Sequence, residues 1–194
     1  MRKKVMAWMM AASFFGAAGC QAAETPAQKV QTRPEKILVA YYSWGGNTRF
    51  AAEKIREITG GTLFEIRPVK AYPSNYRACV EQARKECREG TRPALAAKVE
   101  NFEKYDVIFL GTPNWWSTMA PPVRTFLTEG DFSGKTVIPF VTHGGGGMAD
   151  CERDMRKVCP KATFVRGGAF SGSGIRSAGN ALEKWVGETV EIKK

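Results

Sequence analysis

Apolar positions along the chain fall into short continuous runs separated by segments with helical spacing. Residues 37–42 form an unbroken apolar run that ends in a glycine-containing turn. Beyond it Phe50, Ala51, Ile55 and Ile58 recur at helical intervals, so the stretch reads as buried strand, tight loop and amphipathic helix. Gly60 and Gly61 end that helix, and residues 62–66 make a short strand. Residues 76–88 suit a helix with Val80 and Ala83 inward. Residues 105–111 are a second continuous apolar strand, and 113–120 a loop with two adjacent tryptophans. Pro121 and Pro122 open a helix through Val123, Phe126 and Leu127. A fourth strand (136–141), a glycine-rich loop (142–147), a helix to Val158 and a fifth strand (161–165) follow. A loop at 171–174 leads to a last helix over 175–186, with Leu182, Trp185 and Val186 at core spacing.

Strands alternating with helices predict βαβ units and a parallel sheet covered on both faces. The runs at 37–42 and 107–110 fit central, doubly buried strands, whereas Glu65 suits the strand at 63–66 to an edge.

The first residues belong to another category. Arg2, Lys3 and Lys4 precede an apolar run over residues 5–18 that is too short and too rich in small residues for a good membrane span. Residues 1–19 therefore read as an export signal. Gly19-Cys20 after small residues resembles a bacterial lipobox, with Ala17 where leucine is usual, and implies lipid attachment at Cys20. Ordinary cleavage nearby and an uncleaved anchor are the alternatives. Residues 20–34 are polar and aperiodic, a flexible tether, so the folded domain is expected over 35–194.

Three loops carry candidate chemistry, and each follows a strand, which places them at one edge of a parallel sheet. In the first, Ser43, Asn47 and Thr48 supply side-chain donors, and Gly45 and Gly46 let backbone N–H groups turn inward beside Trp44. The following helix N-terminus adds partial positive charge, so a phosphate fits there. The alternative is a turn in which Ser43 and Thr48 only cap the helix. The loop is neither a Walker P-loop nor G-x-G-x-x-G. In the second loop, Pro113, Asn114, Trp115 and Trp116 offer an aromatic wall for a flat ligand, with Trp116 the preferred stacking residue. In the third, Thr142, His143, Gly144 and Gly145 open a run of four glycines that permits close backbone approach.

With these residues, the chain resembles the flavodoxin family. Residues 42–48 resemble its phosphate loop, 113–119 the loop that stacks on the isoalloxazine, and 142–145 the loop along its other side. The resemblance covers residues 35–186, and is closest to a bacterial branch with Trp-Trp and Thr-His-Gly-Gly loops. It implies a three-layer α/β/α sandwich, a five-stranded parallel sheet in the order 2-1-3-4-5, non-covalent FMN and an electron-transfer or flavin-dependent reductive role. A non-redox FMN- or nucleotide-binding module is the alternative. The implied partners are a redox protein or a small-molecule acceptor such as a quinone or electrophile, at a periplasmic or cell-surface location reached through the lipid anchor.

Charge departs from that family's acidic habit: the net charge is +10, and about +7 without the signal. A basic surface favours anionic partners or a negative membrane surface. Export argues against nucleic acid. His143, the sole histidine, suits proton donation to a reduced flavin or a backbone-orienting hydrogen bond. It has no cysteine pair nearby in sequence to build a metal site with. Ser43 has no base and is not a hydrolase nucleophile. Cys79 and Cys87, like Cys151 and Cys159, are eight residues apart, about 12 Å along one helix and too far to bond. A cross-link between the two segments, or four free thiols, are the readings left.

Overall fold

The computed structural model describes residues 29–193. Strand β1 (Val30–Thr32) and a 3-10 turn (Pro34–Lys36) lead into β2 (Ile37–Tyr41), α1 (Asn47–Thr59), β3 (Thr62–Glu65) and α2 (Tyr76–Glu89). Then come β4 (Val107–Trp115), β5 (Thr118–Met119), α3 (Pro121–Glu129) and β6 (Thr136–His143). The chain closes with α4 (Cys151–Val158), β7 (Thr163–Phe164), β8 (Gly168–Ser171), α5 (Gly179–Thr189) and β9 (Val190–Ile192).

The main sheet runs β3-β2-β4-β6-β7, with every neighbouring pair on that path parallel. Numbering only those strands gives the expected order 2-1-3-4-5. All five residues of β2 are buried, because the strand is covered on both faces. Its side chains alternate between two cores: Leu38 and Ala40 join Ile108, Leu110 and Val123, while Ile37 and Val39 join Phe109, Ile138, Ile55 and Val186. Edge strand β3 carries Glu65 in an ion pair with Arg49 (2.5 Å).

Four features depart from the sequence expectation. The fifth strand is split into β7 and β8, both pairing with β6. The break falls opposite Ile138 and Pro139, where proline has no N–H to give. The second candidate loop is a hairpin, because β4 continues to Trp115 and turns back antiparallel as β5. The glycine-rich loop runs to Asp150 before α4 starts, and residues 175–177 are a 3-10 turn ahead of α5. Finally, the expected tether over 20–34 is ordered at its end. Val30–Thr32 pair in parallel with Val190–Ile192, and Val190 is buried in the core that holds α5. Residues 1–28, on which the expected export signal and lipid attachment at Cys20 fall, lie outside the described residues.

Cys79, Cys87, Cys151 and Cys159 are free thiols, and Cys79 with Cys87 does share one helix. Burial pushes the Cys151 thiol up to about 12, and the Cys87 and Cys159 thiols up to about 11.

Candidate functional site

The ends of β2, β4 and β6 bring the three loops to one cavity of about 610 Å³. The volume lies within the range of small-molecule sites. Ser43, Trp44, Gly45, Asn47 and Thr48 line it from the first loop, Pro113, Asn114, Trp115 and Trp116 from the second, and Thr142, His143 and Gly144 from the third. Gly46 and Gly145 stand behind the lining. Gly46 is the residue before α1 and adopts φ +87°, a conformation that glycine takes without Cβ strain. Its N–H donates to Ser43 Oγ at 3.1 Å. The N-cap residue Gly46 has no side chain to cap α1, and Ser43 Oγ takes the Gly46 N–H alone, which leaves the N–H groups of the first turn at the cavity.

The loops are bound to one another. Thr48 and Thr142, both buried, share a hydroxyl–hydroxyl bond of 2.8 Å. Asn114 Nδ2 donates to Gly147 O at 3.0 Å, and Asp150 N–H to Ser117 O at 2.9 Å. Gly145 N–H donates to His143 Nδ1 at 3.1 Å, the backbone-orienting hydrogen bond weighed for this residue.

The adjacent tryptophans have different jobs. Trp115 is half-buried, edge-on to Tyr42 (5.5 Å) and Tyr72 (4.9 Å). Trp116 is half exposed, and its Nε1–H donates to Val80 O at 3.2 Å. Trp116 and Ser117 form the two central residues of the hairpin turn at φ +52° and +66°. This is the type I′ signature, here without the usual Asn-Gly. Burial and the Glu86 carboxylate raise the Tyr72 hydroxyl, which bonds to Glu86 behind Trp115.

Two contributions were not assigned from sequence. Tyr76, Cys79, Val80 and Ala83 close one side, a helical stripe of 3- and 4-residue spacing of which the sequence reading named only Val80 and Ala83, as inward-facing. Gly172 and Ser173 reach the cavity from the loop after β8. A Cβ on Gly172 would come within 2.7 Å of Asn47 Nδ2, so this loop seats directly on the first. A second cavity of about 450 Å³, floored by Leu95, Val99, Phe102 and Phe126, has no lining residue from the three loops.

No lysine, arginine, aspartate or glutamate lines the 610 Å³ cavity. One part is a set of neutral donors at a helix N-terminus, another is aromatic, and Gly144 and Gly172 add glycine backbone. A parallel α/β sheet with a cavity at its strand ends defines a protein of the doubly wound class. Within that class, the flavodoxin family profile matches residues 36–189, and the chain belongs to that family. A candidate flavoprotein of Bacteroides uniformis ATCC 8492 is 31% identical over 80% of this chain and 99% of its own, with a TM-score of 0.70. One from Bacteroides eggerthii DSM 20697 is 33% identical over 76% and 97%, with a TM-score of 0.65. The flavoprotein of Lactobacillus acidophilus NCFM, solved in complex with FMN, shares the fold at 22% identity over 74% and 97%, with a TM-score of 0.63.

Proposed function

We propose that this chain binds FMN in the 610 Å³ cavity and works as an exported redox protein. The observation that carries the reading is the convergence of a neutral phosphate cradle, an exposed tryptophan and a glycine loop on one cavity. The residues fit the group. Ser43, Asn47, Thr48 and the first-turn N–H groups of α1 hold the phosphate, where donors to a charged acceptor bind more strongly than neutral pairs do. Trp116 covers one face of the ring system, held in plane by its bond to Val80 O. His143 and the backbone of Gly144 would meet the polar edge of the ring. When bound, the flavin supplies one- and two-electron chemistry, and the protein positions and tunes it.

The electrons go to a quinone, a small electrophile or a protein partner. The n-region, apolar run and Gly19-Cys20 support export, to the periplasm or the cell surface, with lipid attachment at Cys20. The decisive experiment is FMN titration of the purified protein, then dithionite reduction and reoxidation followed by absorbance. A yellow protein that bleaches and recovers supports the reading. A protein that stays colourless with FMN refutes it. One that binds flavin which no donor reduces supports the alternative of a non-redox module.

A further inference from the structure

Of the large apolar side chains left exposed among the described residues, Trp44, Tyr76 and Trp116 all frame the mouth of the cofactor cavity. Tyr76 is 71% exposed, and its ring lies 6.1 Å from that of Trp44. Both exposed indoles are fixed by their N–H groups, Trp44 on Pro73 O at 2.9 Å and Trp116 on Val80 O at 3.2 Å. The polar handle of each ring is thus spent inside the protein while a large apolar area faces solvent. Arg84 sits over Trp116, 5.8 Å from the ring centroid. Tryptophan, tyrosine and arginine are the residue types that dominate binding energy at protein interfaces, and rings already held in place lose little freedom on association.

Charge adds a direction. The β3–β4 crossover, residues 67–101, holds eight lysines and arginines against four glutamates. One of those glutamates, Glu86, is tied to Tyr72 and Gln82. Arg77, Arg84 and Arg88 recur along α2 in a stripe beside the one that lines the cavity. An aromatic and basic rim suits either a carboxylate-rich protein or an anionic membrane.

The position of β1 decides between them. Strand β2 begins at the sheet edge opposite the cavity, and α1 ends there. A Cβ on Gly60, just past α1, would touch Pro34 at 3.2 Å, so the chain enters at that far edge. Nine residues separate Cys20 from Val30, with an extended limit of about 30 Å. The nine residues of β4 run for about the same distance. A tether held at Cys20 would bring the mouth onto the bilayer only at its full extension, which chain entropy opposes, so the mouth is favoured to face away from the membrane.

We propose that the Trp44–Tyr76–Arg77 rim is a docking surface for a water-soluble protein with a carboxylate-rich face. The proposal rests on the redox reading of the cavity and names its partner class. The test is calorimetric titration of the purified protein, with and without FMN, using cytochrome b5 as an acidic haem-protein probe and cytochrome c as a basic one. The same protein is mixed with phosphatidylglycerol vesicles. Cytochrome b5 is expected to bind at low salt and to weaken as salt rises. Arg77→Glu with Arg88→Glu should weaken that association at least tenfold while leaving FMN affinity unchanged. The proposal is overturned by absent cytochrome b5 binding at low salt, by equal or tighter binding of cytochrome c, or by vesicle binding that the two substitutions abolish. If FMN fails to bind the wild type, the cofactor reading falls, and the cytochrome titration of the apo protein still decides whether the rim docks an acidic face.

Discussion

The hydroxyls of Thr48, in the first turn of α1, and Thr142, near the end of β6, bond to each other at 2.8 Å in a buried setting. One hydroxyl gives its proton to the other, so the pair keeps one proton to donate into the cavity. Thr48→Ala should lower FMN affinity roughly ten- to a hundredfold, since a hydrogen bond to a charged acceptor contributes about 1.5–3 kcal/mol. Ser43→Ala should also weaken it. Thr142→Ala combined with Thr48→Ala should cost less than the two singles added together, because the hydroxyls act as a unit. Unchanged dissociation constants in all of these would remove the phosphate assignment.

The tryptophans separate by assay. Trp116→Ala should weaken FMN binding and raise flavin emission, with little loss of stability, because the ring is exposed at the cavity. Trp115→Ala should instead lower the denaturation midpoint, because its ring packs on Tyr42 and Tyr72. The reverse pattern in a fluorescence and urea comparison would exchange their roles.

The hairpin turn predicts a stabilising change. Ser117 holds φ +66° without the freedom of glycine. Ser117→Gly should raise stability by about 0.5–1 kcal/mol, seen as a higher thermal midpoint. A lower midpoint would mean that the serine side chain contributes more than the strain costs.

In the sheet centre the opposite holds. A Cβ on Gly111 would meet the Phe140 ring at 2.2 Å. Gly111→Ala should cost at least about 1–3 kcal/mol in urea unfolding, and Phe140→Leu in the same chain should recover part of it. Failure of that second change to rescue would place the strain elsewhere.

The thiols set an alkaline limit. Folding raises Cys87, Cys151 and Cys159 above the ordinary thiol range, because burial disfavours the thiolate. The neutral form is favoured in the folded state, so this stability is fully present below about pH 8.5 and falls between there and about pH 11–12. Unfolding midpoints measured from pH 8 to 11 should decline. Replacing Cys151 by alanine should flatten the decline while lowering stability at neutral pH.

The central place of β2 and β4 was readable because both are continuous apolar runs, and a strand buried on both faces needs that composition, whereas the full strand order came with the family resemblance. The three site loops were readable because a parallel sheet sends its strand ends to one edge. The α2 contribution was hidden, since Cys79 and Ala83 satisfy a core stripe and a cavity wall with the same spacing. The hairpin at Trp116 was hidden for another reason. Tryptophan and serine are not residues that announce left-handed backbone, and the turn is imposed by Trp115 pairing with Thr118 and by Asp150 holding Ser117 O. Strand β1 was missed because Val30–Thr32 contains a single strongly apolar residue, and its partner lies 160 positions away.

That separation also sets a schedule. During synthesis the segment around Gln31 emerges 160 positions ahead of Glu191, so the β1–β9 pair is open until that whole stretch has been made. The pairing also comes late in folding, since it closes a loop that holds almost the whole domain. A nascent chain is thus kept from completing this fold until Val190–Ile192 are available to pair with Val30–Thr32.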